Sequence, residues 1–476
     1  MFPPLFTYIE RIEHLEVLLP RIYLPKHPVS ENSFKSSLIT GTLLLTIAGV
    51  LTRIIGFFYR IFLSRVIGAE GLGIYQLTAP VMALGFAITS TGIQTAISRF
   101  VSNEIGKKNP GGARSYLFCG LWLSLLLSVL FSVILWKNTD FIARAWLGDA
   151  RCAPLLSILS LSFVPSCIHA CINGYYYGLK KTGVPALTQL AEQIARVAIV
   201  YVLFQIYTEQ QQSVPLSVTM WGVVIGEIAS TLVSVSCIRV LSGTTDRGLS
   251  MVTCTKNLLA MAAPLTANRV ILNLFSSYEN IMIPNRLRLF GYEFSDALSV
   301  YGILTGMTMS VVMFPSVITN SVSVLLLPAI SEAKAAGDDA LIRRTLKKTI
   351  ESCLSLGFLA TLAFLFTGDF LGNFLFGNAL AGTFITTLGW ICPFLYLGST
   401  LSSILHGLGF PGLTFVLNLI SCGIRILFVL FAVPVFGIKS YLWGILLSQA
   451  VLAFLAIILL LHMTNNKRHA SCDTLV

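Results

Sequence analysis

Twelve apolar stretches, each long enough to cross a bilayer as a helix, alternate with short polar connections along the chain. They lie near residues 38–63, 72–98, 115–136, 154–178, 184–206, 218–242, 257–281, 300–327, 349–367, 379–405, 411–432 and 440–463. The pattern predicts an all-α polytopic membrane protein of about twelve transmembrane helices. No connection between spans is long enough to hold a soluble catalytic domain. Residues 1–36 mix five prolines with charges and have no apolar core followed by a small-residue cleavage site. They read as a cytoplasmic leader, not a signal peptide.

Lysine and arginine set the orientation. With the N-terminus inside, the inner segments hold 20 basic residues and the outer segments 8. That bias predicts both termini in the cytoplasm and an even number of spans. The remaining four basic residues, Arg53, Arg196, Arg269 and Arg425, fall within spans.

The chain also echoes itself. GLKKTGVPALT at 178–188 resembles GLGFPGLT at 407–414, and each leads into an apolar helix with one arginine. LTRIIGFFYR in span one resembles LTANRVILNLF in span seven. The offsets, 216 residues from Arg53 to Arg269 and 226 from Pro185 to Pro411, are similar. They predict two six-helix lobes, 37–242 and 257–463, joined by a cytoplasmic linker at 243–256 and followed by a tail at 464–476. Six is an even number, so the lobes share one orientation, and a substrate path is expected between them near the midplane.

Composition strengthens the membrane reading. Only 11% of residues are charged, 55% are hydrophobic, and mean hydropathy is +0.80, whereas soluble domains carry about 25% charged residues. The net charge of +11 follows from the inner loops, and no nucleic-acid-binding motif accompanies it. The ten cysteines are scattered without a CxxC pair. Cys167 and Cys171 read as packing residues. No GxxxxGK[ST], HExxH or nucleophile–base constellation is present, so the chain does not read as an enzyme, and no cofactor or metal is called for. His169, His406 and His462 stand alone in apolar surroundings and read as packing residues.

In-span charges are the candidate chemistry. A charge at the bilayer centre costs about 2.5–3.5 kcal/mol on insertion scales, so such residues persist where they are paired or face a watery cavity. Arg53 lies mid-helix, and Arg60, seven residues on, shares nearly the same face. Together they form a ladder of cations. Arg65 points elsewhere, as an interfacial anchor. Glu192 and Arg196 are four apart and face each other on one helix, while Glu227 lacks a partner on its own helix. These two acids, with Arg196 and Glu279, are candidates for a buried ion pair or ion coupling. Span seven adds Asn268, Arg269 and Asn273, too polar a set for a lipid-facing helix. Gln94 in span two and Asn320 in span eight extend the polarity, and Pro80, Pro165 and Pro315 read as helix breakers lining a cavity.

At this point the residues carry a resemblance. TGTLLLTIAGVLTRIIGFFYRIFLSRVIGAEGLGIYQLTAPV, GYYYGLKKTGVPALTQLAEQIARV, IPNRLRLFG and LLLPAISEA resemble the MurJ/SpoVB-type flippases of the multidrug/oligosaccharidyl-lipid/polysaccharide exporter (MOP) superfamily, in particular the stage V sporulation protein B branch. The likeness covers nearly the whole chain from about residue 36. It implies two six-helix lobes around a cavity that opens alternately to each side of the cell membrane. The implied substrates are undecaprenyl-pyrophosphate-linked saccharides, above all lipid II, in peptidoglycan or polysaccharide synthesis. Arg53 matches a cavity arginine of that family. A second first-helix arginine of the family falls at Tyr59 here, beside Arg60. Its cavity arginines in the second and eighth helices have no counterpart, and no thirteenth or fourteenth span is read.

The leading expectation is therefore a lipid-linked saccharide flippase. Arg53, Arg60 and Arg269 would hold the pyrophosphate, and Gln94, Asn268, Asn273 and Asn320 the sugar. Expected partners are this lipid-linked saccharide, membrane lipids and a coupling ion. The alternative within the superfamily is a multidrug or toxin cation exporter, which needs cavity carboxylates. A membrane-embedded glycosyltransferase fits less well, because the outer loops are small.

Overall fold

The computed structural model describes residues 31–238 and 249–472 and is all-helical. Most of the expected leader (1–30), part of the linker (239–248) and the end of the tail (473–476) lie outside the described residues. Within the expected linker, helix begins already at Met251, and the tail is helical as far as Cys472.

Ten helices are long and apolar enough to cross a membrane, and one bent pair makes an eleventh. They are α1 (Leu43–Gly106), α2 (Pro110–Lys137), α3 (Cys152–Gly178), α4 (Gly183–Glu209), α5 (Ser217–Cys237) and α6 (Met251–Phe290). The pair α7 (Phe294–Val312) and α8 (Ser316–Ala335) follows, then α9 (Asp339–Phe376), α10 (Ala379–Gly407), α11 (Pro411–Phe436) and α12 (Ile438–His462).

The expected count was twelve. The difference lies in α1, where spans one and two form one helical run of 64 residues. At 1.5 Å per residue a straight helix of that length would reach about 96 Å, three bilayer cores. It is interrupted at Gly68, whose φ of 70° and ψ of −178° are non-helical and costly for a residue with a Cβ. Tyr59 before this break and Tyr75 after it both lie within electrostatic range of Arg196 on α4. The chain therefore folds back at Gly68 into two arms, 43–67 and 69–106.

The prolines bend helices less than expected. Pro315 does break the chain: α7 and α8 meet at 63°. Pro80, however, sits inside continuous helix, followed by a π-turn at Ala87–Thr91. Pro165 follows a 3-10 turn at Ser160–Ser162. Local rewinding of this kind absorbs the lost hydrogen bond without separating the helix into pieces.

The second arm of α1 packs with α2 and α3, α4 and α5 pack on each other and on α3, and α9, α10, α11 and α12 pack together in the second half of the chain. The halves also touch. Built Cβ atoms on Gly73 and Gly302 would lie 2.2 Å from the carbonyl oxygens of Leu298 and Ala69 respectively, so only glycine lets these two backbones meet. Phe57 packs against Phe314 with ring centroids 4.8 Å apart and ring planes tilted by 42°. Arg65, expected as an interfacial anchor, donates to the carbonyls of Leu375 (3.0 Å) and Phe374 (2.6 Å), so it caps the C-terminal end of α9. These contacts join the halves around residues 57–73 of α1. Gly302→Val is expected to force the second arm of α1 away from α7. Hydrogen exchange at 69–73 and 298–306, followed by mass spectrometry, should rise clearly above wild type. Unchanged exchange would show that the glycine contact does not hold these two helices together.

Candidate functional site

Spans of this kind put charges where they need partners, and the four in-span arginines divide into two kinds. Arg196 and Arg425 are paired. Arg196 contacts Glu192 at 2.5 Å on the same helix, and Arg425 donates from Nε to Glu279 at 2.7 Å across helices. Arg53 and Arg269 are exposed and make no hydrogen bond or ion pair among the described residues.

Both unpaired arginines lie one helical turn from a contact between the two halves. Phe57, four residues after Arg53 and on the same face, is the ring that meets Phe314 of the second half. Asn273, four residues after Arg269, donates to the carbonyl of Ala83 in the second arm of α1 at 3.1 Å. Each arginine thus shares a face with a residue that reaches the opposite half. Arg60 is exposed on the first arm and likewise without a partner. Asn268 is exposed, Gln94 is half-buried, and Asn320 is half-buried with its amide donating to Ser316 Oγ at 3.3 Å. Of the expected saccharide-binding residues, only Asn273 is held in a contact between the halves.

The acids sit elsewhere, inside each half. Gly222 and Gly226 on α5 form a G-x-x-x-G face. A Cβ on Gly226 would meet the Glu192 carbonyl at 2.9 Å, so α4 and α5 pack backbone to backbone. That approach brings Glu227 beside Glu192. The partner of Glu227 is His169 of α3: Nε2 and Oε2 are 2.7 Å apart, and the carboxylate side chain is 5% exposed. Thr231 ties the same helices by donating to the carbonyl of Pro165 at 2.6 Å. His169 is thus a polar partner, which corrects its reading as a packing residue. An isolated histidine in an apolar run gives no sign of a carboxylate 58 positions away. Ligand atoms of His169, Glu192 and Glu227 lie within 4.8 Å of one another. The Arg196 guanidinium already supplies a cation there, which opposes binding of a divalent ion.

In the second half, Glu279 is 5% exposed and anchors a network. Its Oε1 accepts from Arg425 Nε and from Tyr441 OH, each at 2.7 Å. Arg425 also donates to Ser421 Oγ at 3.2 Å. A cavity of about 270 Å³ borders this network, lined in part by Ser276, Asn418, Ser421 and Gln449. Cys167 and Cys171 are buried, as packing residues would be.

The sequence pattern of the polysaccharide biosynthesis protein family matches residues 38–334. The chain is 28% identical to stage V sporulation protein B of Bacillus subtilis (strain 168) over 431 residues, which cover 88% of this chain and 83% of that protein. It is 24% identical to the lipid II flippase MurJ of the same organism over 350 residues, covering 67% and 62%. Among solved structures, a multidrug resistance MATE family transporter of the MOP superfamily in its inward-facing conformation superposes with a TM-score of 0.74 at 14% identity, over 88% of this chain and 96% of that one. A MOP superfamily transporter from Pyrococcus furiosus, described as having a binding pocket of reverse polarity, superposes at 0.65 and 14% identity, over 92% and 99%.

The fold is therefore that of the MOP transporters, and the protein is a multi-pass membrane protein. By its matched sequence the chain belongs to the polysaccharide biosynthesis protein family.

Proposed function

We propose that the protein is a flippase that carries a polyprenyl-pyrophosphate-linked saccharide, lipid II or a related cell-wall or polysaccharide precursor, across the cytoplasmic membrane by alternating access. One observation carries this reading: Arg53 and Arg269, one from each half, stand unpaired within spans and share faces with the contacts between the halves. Unpaired arginines at membrane depth are costly unless they meet water or an anion. A pyrophosphate carries the complementary charge, and guanidinium forks match its oxygens. Arg60 extends the cationic wall toward one interface. Gln94, Asn268, Asn273 and Asn320 offer amides for a sugar, and the polyprenyl tail stays in lipid. The relationship to stage V sporulation protein B and to the lipid II flippase MurJ supports the same substrate class. The cytoplasmic placement of both termini belongs to this proposal and rests on the basic-residue bias.

A cation exporter of the same superfamily would need free carboxylates facing the path. Glu192, Glu227 and Glu279 are each engaged by Arg196, His169 or Arg425, which disfavours that reading. Rescue tests the choice. In a bacterium depleted of its lipid II flippase, expression of this chain is expected to restore growth and surface-exposed lipid II. Ethidium efflux without such rescue would replace the flippase reading with the exporter. Neither activity, with the protein confirmed in the membrane, would exclude lipid II and move the search to other polyprenyl-linked glycans.

A further inference from the structure

The polar cavity of the second half has no role in the function proposed above. Its volume is about 270 Å³, and its lining comes from α6, α10, α11 and α12. That size stands just below the range of small-molecule pockets, about 300–1,000 Å³, and admits one small ring. Polar groups turned away from lipid are costly unless they are hydrogen-bonded, so a wall rich in hydroxyls and amides calls for a polar occupant.

Charge excludes an ion. Arg425 is the one charged residue among the described residues that line the cavity. Glu279 answers it at 2.7 Å, and Tyr441 donates to the same carboxylate oxygen. A cation would meet a carboxylate already engaged, and an anion would meet a guanidinium already neutralised. Hydrogen-bonding capacity remains, of both kinds. Arg425 spends Nε on Glu279 and Nη1 on Ser421, which leaves Nη2 as a donor. Asn418 donates to the carbonyl of Thr414 at 2.8 Å and keeps its amide oxygen as an acceptor. Ser402 donates to the carbonyl of Gly398 at 2.8 Å and keeps its hydroxyl oxygen. The half-buried side-chain amide of Gln449 makes no hydrogen bond among the described residues, so it offers a donor and an acceptor together. Groups that both give and take hydrogen bonds, as hydroxyls do, fit this wall.

The cavity also lies within reach of one of the unpaired arginines. Ser276, which lines it, follows Arg269 by seven residues on α6. That is two turns, about 10 Å along the axis, on nearly the same face. Asn273, one turn after Arg269, reaches the first half instead. Arg269 therefore stands at the border between the cavity and the space between the halves. A guanidinium, a pyrophosphate and the first sugar linked to it cover that distance between them.

We propose that this cavity is a binding site for one uncharged sugar ring, held by Gln449, Asn418, Ser402 and the free nitrogen of Arg425. In transport it takes the sugar next to the pyrophosphate, while the amides facing the space between the halves meet the rest of the saccharide. This role rests on the flippase reading; the sugar site itself does not.

Two measurements separate them. First, the purified full chain in nanodiscs is irradiated with a diazirine derivative of the methyl glycoside of N-acetylglucosamine, and labelled peptides are mapped by mass spectrometry. No flipping is needed. Label is expected on 395–402, 418–425 and 449–452, and excess unlabelled glycoside should remove it. Gln449→Leu, which orphans no partner, should lower it by about tenfold, the upper end of what one hydrogen bond contributes. Ser402→Phe, which fills the space, should abolish it, and each variant serves if the other fails to fold. Label confined to other helices, label that unlabelled glycoside does not displace, or no label would overturn the sugar site. Second, proteoliposomes compare fluorescent polyprenyl pyrophosphate with and without one attached sugar. Wild type is expected to move the sugar-bearing lipid at least about tenfold faster. Gln449→Leu should bring that ratio toward one by slowing the sugar-bearing lipid alone. Equal rates in wild type would overturn the role in transport. If wild type moves neither lipid, the flippase reading fails, and the labelling alone decides the sugar site.

Discussion

Arg53→Ala is expected to abolish flipping while the protein still inserts, folds and accumulates in the membrane. The expectation follows from what Arg53 does not touch. It has no ion pair or hydrogen bond among the described residues, so its removal orphans no buried partner. Its removal also takes away an insertion penalty of about 2.5–3.5 kcal/mol. Stability should therefore hold or rise. On the flippase proposal the transported anion, in contrast, loses a charge-assisted contact at membrane depth. Truncating one member of such a pair costs about 2–5 kcal/mol, which corresponds to a loss of about 30-fold to several thousand-fold in rate. Arg269→Ala should behave alike, because Arg269 has the same unpaired setting in the other half. Arg53→Lys should retain part of the activity, since it keeps the charge but loses the fork. Arg60→Ala, nearer an interface, should cost less. Reconstituted flipping, normalised to protein in the membrane, reads all four. Wild-type rates in Arg53→Ala would remove the proposed pyrophosphate site.

Much of the fold was legible because the bilayer imposes it. An apolar run of sufficient length can only be a helix when its backbone groups must be satisfied internally, so each expected span corresponds to a helix or helix arm. The turn between spans one and two falls inside the expected connection, 64–71, but its form did not show: it is a single non-helical glycine and not a loop. Residues 64–71, SRVIGAEG, include good helix formers, and the backbone leaves helical geometry at one glycine only. The family could be read because its motifs are local in sequence. The partners of the in-span charges could not, apart from Glu192 with Arg196, which a helical spacing of four announces. His169 with Glu227 and Glu279 with Arg425 join residues 58 and 146 positions apart. Periodicity tells which face of a helix is polar; it does not tell which helix packs against that face. The same limit explains why the pairing of Arg425 went unread, and why Arg53 and Arg269, singled out by helix polarity and by resemblance, carried no sign in the sequence that they lack a partner. Exposure and the lack of a partner distinguish them, and both are properties of packing.

Glu279→Gln is expected to be the most destabilising single change in the chain among these polar positions. The carboxylate is 5% exposed and receives Arg425 and Tyr441 on one oxygen at 2.7 Å each. Removing its charge leaves the Arg425 guanidinium, itself 19% exposed, without a counter-ion inside the second half. Breaking one side of a buried pair costs about 3–5 kcal/mol. The glutamine amide can still accept from Tyr441, so the tyrosine should add little to that loss. Arg425→Met in the Glu279→Gln background is expected to recover most of the stability, because the penalty lies in the stranded charge and not in the missing contact. Unfolding followed in detergent for wild type, both single variants and the double variant closes a thermodynamic cycle. A coupling energy near zero would mean that water from the adjoining cavity already solvates Arg425, and that the pair does not hold the second half together. Strong coupling would separate the two kinds of in-span arginine by experiment: Arg425, whose loss matters only while Glu279 remains, from Arg53, whose loss matters only to the substrate.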